Sequence, residues 1–72
     1  MKKKDLYKII GKNIQRERKK KGLTQEGFAE LMDVSWSYVS KIESGVLNLS
    51  IGKIHDFAKF LNVDVSILLK IE

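Results

Sequence analysis

No cysteine and no proline occur in these 72 residues. Without thiols there is neither a disulfide framework nor a thiolate metal site, and the lack fits a reducing compartment. Without proline, and with apolar residues at helical spacing throughout, the economical architecture is all-α. No apolar run reaches the length that spans a bilayer, and the start lacks a secretory hydrophobic region. A soluble, cytosolic chain with no membrane partner is therefore expected. The single histidine, His55, has no cysteine and no spaced carboxylate to join it, which leaves it a surface role. Glycine-rich phosphate loops, paired acids and Ser/His/Asp sets are missing too. The expectation is a protein that is not an enzyme and needs no cofactor, metal or small-molecule ligand.

Hydrophobic residues make up 43% of the chain, enough for one small core in a single domain. The net charge of +5 is unevenly spread. Residues 1–22 hold ten Lys/Arg against Asp5 and Glu17, whereas residues 23–72 hold four Lys against seven acids. A basic segment of this kind attracts phosphate polyanions by counterion release, without reading sequence. Residues 1–4 read as a basic, solubilising tail. Arg16, Arg18 and Lys19–Lys21 lead directly into the motif described next. A helix C-terminus favours cations, which accounts for some of them but not for their number.

The stretch Thr24–Gly45 has the punctuation of two helices joined by a tight turn. Thr24 caps a helix to about Met32, Asp33-Val34 turns with positive φ expected at Asp33, and Ser35 caps a helix that stops at Gly45. Before it, Asp5 is placed to cap a helix of about Leu6–Lys21, with Leu6, Ile10 and Ile14 as its buried stripe. Leu23, Phe28, Ala29, Met32, Val34, Val39 and Ile42 continue the core. Gly27 inside a helix costs ~1 kcal/mol relative to alanine, so either another backbone approaches it or it is merely tolerated. After the loop 46–50, Ser50 caps a fourth helix of about Ile51–Leu61, with Ile51, Ile54, Phe57, Ala58 and Leu61 inward. Asp64 or Ser66 caps a short last helix. Phe60, Val65, Ile67, Leu68, Leu69 and Ile71 exceed what one final turn can hide, and a small chain with such a patch tends to associate. The plainer alternative is a well-filled core with Ile71 frayed.

On the third helix, Trp36, Ser37, Ser40, Lys41 and Ser44 fall within an arc of roughly 140°, opposite Val39 and Ile42. A solvated helix face mixes long charged side chains of both signs. This one offers hydroxyls, one ammonium and an indole, groups suited to the base edges of a major groove. Gln25, in the first turn of the preceding helix, is placed to clamp a phosphate with its amide. A polar exterior and an ordinary surface glutamine are the bland alternatives.

With the segments IGKNIQRERKKKGLTQEGFAELMDVS, SYVSKIESG and NLSIGKIHDFAKFLNVDVSILL in view, the chain resembles the Cro/phage-repressor-type helix-turn-helix family, often called the XRE family. The likeness runs from about Ile10 to Leu69. It implies a compact five-helix bundle of the phage-repressor DNA-binding-domain type. It also implies that Gln25 grips a phosphate and braces the recognition helix, and that Trp36, Ser37, Ser40 and Lys41 touch base edges. Tyr38 then meets the backbone or the DNA surface, and Asn48 and Ser50 hold a phosphate on the far side. Arg18 and Glu43 match a pair bridging the first helix to the third. Three positions depart from the pattern: Gly27, Asp33 and Leu49. Trp36 leaves two roles open, since its ring either presses on a thymine methyl or sugar edge or packs against protein.

The function expected is therefore a sequence-specific regulator of transcription that binds double-stranded DNA as a homodimer on a palindromic operator. Residues 1–72 form one domain, with the helix-turn-helix at 24–45, the recognition helix at about 35–44 and a dimerisation segment at 62–72. Arg16, Lys21, Thr24, Gln25, Tyr38, Asn48 and Ser50 hold phosphates, while Phe60, Ile67, Leu68 and Ile71 form the dimer contact. The place of work is the cytoplasm, at the nucleoid. The likeness extends to restriction-modification controller proteins, small phage or plasmid repressors and stand-alone regulators, with Tyr38 and the proline-free Asn48–Ile51 stretch leaning toward controllers. A rival from another class is a protein-interaction module of the same fold, an antitoxin or adaptor, for which Trp36 and Tyr38 serve as hot spots.

Overall fold

The computed structural model describes residues 1–71, and the regular elements among them are all helices. They are α1 (Lys3–Lys20), α2 (Gln25–Met32), α3 (Trp36–Ser44), α4 (Ile51–Leu61) and α5 (Val65–Leu68). Glu72, the last residue of the segment expected to join two copies, lies outside the described residues.

Side-chain caps set most of the boundaries. The Thr24 hydroxyl accepts from Gly27 N–H at 2.9 Å, Ser35 from Tyr38 N–H at 3.0 Å, and Ser50 from Lys53 N–H at 3.2 Å. Asp64 accepts from Ser66 N–H at 2.9 Å. That bond and the Ser66 hydroxyl hold the Asp64 carboxyl below the usual carboxylate range. Left-handed residues end three helices: Asp33 at φ 59°, Gly45 at φ 79° and Asn62 at φ 57°. The start of α1 corrects the sequence-based boundary. The helix begins at Lys3, and Asp5 is its third residue, with its carboxylate accepting Lys2 N–H at 3.1 Å. Lys3 and Lys4 are thus helical rather than part of a tail.

Ile10, Ile14, Phe28, Val39, Ile42, Phe57, Leu61 and Leu68 are buried together at the centre. Each large apolar side chain removed from water stabilises the fold by about 1.5–3 kcal/mol. The Phe28 and Phe57 rings meet at 5.8 Å and 47°, which joins α2 to α4. Two expectations fail here. Leu68, assigned to a dimer contact, is fully buried: with Asp64 capping the turn, it faces inward and closes the core. Ile51, assigned to the core, is 74% exposed because it is the first residue of α4 and projects past the bundle's edge; Leu49 of the loop is buried instead.

Two contacts position α1. A Cβ on Gly11 would stand 2.5 Å from the backbone oxygens of both Ile42 and Glu43, so only glycine lets α1 and α3 approach this closely. Buried Asn13 donates through Nδ2 to the carbonyls of Leu68 and Lys70, at 2.9 and 2.8 Å, and ties α1 to the end of α5. At Gly27 no second backbone intrudes: an added Cβ would meet only the Thr24 hydroxyl, at 3.2 Å.

Candidate nucleic-acid interface

A relay of hydrogen bonds fixes α3 before any ligand arrives. Arg18 donates to Glu43 through Nε at 2.7 Å and Nη2 at 3.0 Å, and through Nη1 to the Leu23 carbonyl at 2.7 Å. Both side chains of the pair are buried. Such a pair adds little net stability, because desolvation offsets the attraction, but its fork geometry leaves α3 little freedom to roll. Gln25 continues the relay: its Nε2 donates to Glu43 at 3.0 Å, and its Oε1 accepts the Trp36 indole N–H at 3.0 Å.

The amide of Gln25 is therefore engaged at both ends, by two residues of the helix it was expected to brace. The second Nε2 hydrogen has no partner among the described residues. Trp36 is fixed to protein by its nitrogen and keeps 56% of its surface exposed, so what it can offer a ligand is ring surface rather than the N–H.

The outer side of α3 carries Ser37, Ser40 and Lys41, all exposed and, among the described residues, without a side-chain hydrogen bond. The neighbouring Ser44 hydroxyl donates to the Lys41 carbonyl at 3.0 Å and is spent on its own helix. Around this face the expected phosphate residues divide. Lys21 and Thr24 are exposed where α1 gives way to α2, and Asn48 and Ser50 are exposed in the loop before α4. Thr24 and Ser50 accept cap bonds, which leaves each hydroxyl its proton to donate.

Two of the expected residues stand elsewhere. Tyr38 is half-buried, its ring stacked on Phe57 at 6.1 Å, on the inward flank of α3. Its aromatic body packs against the core. Arg16 donates to Asn13 at 3.0 Å, lies 3.6 Å from Glu17, and shares a hollow with Ile67 and Lys70. Two residues of helix separate it from Arg18 by about 160° around α1, which turns it toward α5 and away from α3.

Phe60, Ile67, Leu69 and Ile71 are exposed on α4, on α5 and just beyond it, at 36–56%. Gly11 and Asn13 were missed from the sequence as positioning residues. A glycine within an otherwise regular helix was the available signal for the first, and a lone asparagine gave none for the second. No group of His, Asp and Glu side chains among the described residues is arranged to hold a metal ion.

Comparison with known proteins agrees with this geometry. The sequence profile of the helix-turn-helix family HTH_3 matches residues 14–68. The uncharacterised HTH-type transcriptional regulator YazB of Bacillus subtilis is 44% identical over 55 residues, covering 76% of this chain and 80% of its own. Another such regulator, y4dJ of Sinorhizobium fredii, is 36% identical over 59 residues, covering 82% and 77%. Among solved structures, the restriction-modification controller protein C.AhdI from Aeromonas hydrophila superposes with a TM-score of 0.78 at 32% identity, covering 86% of this chain and 94% of that one.

Proposed function

Since the chain belongs to the helix-turn-helix family of DNA-binding transcriptional regulators, which are not enzymes, we propose that it reads a palindromic operator as a homodimer. The observation that carries this is the face of α3. Ser37, Ser40 and Lys41 stand exposed with their hydrogen-bonding groups unspent, on a helix whose roll is fixed by Arg18, Glu43 and Gln25. A pre-set helix enters the major groove without first ordering itself, so contact with base edges is not offset by that entropy.

In this proposal Ser37, Ser40 and Lys41 read bases, and the Trp36 ring makes apolar contact at the edge of the groove. Thr24 and Gln25 hold a phosphate at the start of α2, with Lys21 beside them, and Asn48 and Ser50 hold another from the loop. Phe60, Ile67 and Ile71 join two copies, bringing two α3 helices onto one duplex. The likeness to a controller protein, over 94% of that protein's chain, supports a regulator of this kind, whose place of work is then the cytoplasm, at the nucleoid.

Selection of bound duplexes from a random pool tests the proposal. An inverted repeat with half-sites centred about one helical turn apart, or a multiple of it, is expected. A pool that yields no preferred sequence, with binding instead to a protein partner through exposed Trp36, would favour the interaction-module alternative.

A further inference from the structure

Past the C-terminal end of α3 lies a cleft that the recognition helix leaves unused. Lys3, Lys4 and Lys8 line one wall, from the first turns of α1, and Gly45, Val46 and Asn48 line the other. No carboxylate among the described residues lines it. Asp5, the nearest acid in sequence, turns its oxygen to the Lys2 N–H.

The cleft is built by close packing. Gly45 sits at φ 79°, and a Cβ there would come within 2.6–2.8 Å of Lys8 Cγ, Cα and N. Glycine alone lets the chain leaving α3 lie flat against α1 at this point, and that approach brings Asn48 opposite the lysines. Three lysines and an asparagine thus line one cleft, with no acid among the described residues that line it. Such a donor set suits a phosphate, whose several oxygens accept from all of them. The cleft is continuous with the loop that follows the recognition helix, which points to the DNA backbone rather than to a free anion.

We propose that Lys3, Lys4 and Lys8 join Asn48 in gripping the phosphate that the loop holds, so that the operator backbone beyond the end of α3 is clamped apart from the Thr24–Gln25 site. This rests on the operator-reading role proposed above and adds a fixed grip to it. Phosphate contacts carry no base information, so the clamp sets register and affinity but not sequence preference.

The test uses the full chain, the selected operator, and copies of it in which single phosphates are replaced by uncharged methylphosphonate. Wild type is expected to lose affinity at two separated positions in each half-site. The triple variant Lys3→Gln, Lys4→Gln, Lys8→Gln should become indifferent to one of these positions and keep its base preference. Its salt slope should flatten by about 0.9 for every phosphate the variant no longer neutralises. Arginine at the same three positions should restore the sensitivity. These side chains are exposed, and an unchanged thermal melt will establish that the variant folds. An unaltered methylphosphonate profile, or uniform weakening with no position losing its effect, would overturn the clamp. A wild-type chain that selects no sequence would instead indict the operator-reading role.

Discussion

The Trp36 indole N–H is turned into the protein and donates to Gln25 Oε1 at 3.0 Å, so the exposed aromatic of the recognition helix and the glutamine at the start of α2 are one unit. Trp36→Phe keeps an aromatic ring and deletes the bond. A net intramolecular hydrogen bond contributes about 0.5–1.5 kcal/mol, so binding should weaken about two- to tenfold. The loss should be equal on the selected operator and on sequences differing from it, as measured by mobility-shift titration, because what is loosened is a phosphate-side brace.

The buried pair predicts an asymmetric mutation series. Arg18→Met leaves Glu43 buried with Gln25 as its remaining side-chain partner among the described residues, and should destabilise the fold by about 3–5 kcal/mol. The double variant Arg18→Met, Glu43→Leu removes the uncompensated charge and should recover most of that loss. Urea midpoints of the three proteins check this. Operator affinity of the double variant should stay below wild type even where stability returns, because α3 has lost the bond that fixes its roll.

Glycine substitutions should separate packing from propensity. Gly11→Ala favours helix by about 1 kcal/mol, yet drives a Cβ onto two backbone oxygens that cannot yield, so the net effect is destabilising. Gly52→Ala meets nothing closer than the Ser50 hydroxyl at 3.9 Å and should be neutral or stabilising. Thermal melts of the two variants should therefore shift in opposite directions, or shift for Gly11→Ala alone.

The exposed apolar residues on α4 and around α5 give a prediction about assembly. Phe60→Lys with Ile71→Lys should leave the helical signal intact and produce a monomer in sedimentation velocity. Binding to a full palindrome should fall toward that of a half-site. Leu68→Lys should instead unfold the chain, since that side chain is fully buried in the core.

Much of this arrangement was legible in the sequence because it is local. Thr24, Ser35 and Ser50 act as caps through bonds spanning three residues, and Asp33 and Gly45 adopt the left-handed turns their types allow. Where the sequence misled, a long-range contact decided the matter. Leu68 and Phe60 look alike on apolar character, yet only the first meets the core, and Ile51 fits the buried period but begins its helix beyond the core's edge. The resemblance implied that Gln25 braces α3, but its partners, 11 and 18 residues away, could not be named from local pattern. Arg16 shares a basic run with Arg18, and only the helix phase against α3 separates their environments. Gly11 and Asn13 matter through α3 and α5; a glycine inside a regular helix hinted at the first, and nothing local announced the second.

The sharpest check on base reading by α3 is to repeat the random-pool selection with Lys41→Ala, at a salt concentration where wild type retains its operator. Relaxed preference at one position of each half-site is expected, with a loss of about 1–3 kcal/mol on the wild-type operator and unchanged preference at the other positions. An operator and an affinity identical to wild type would refute base reading by this helix.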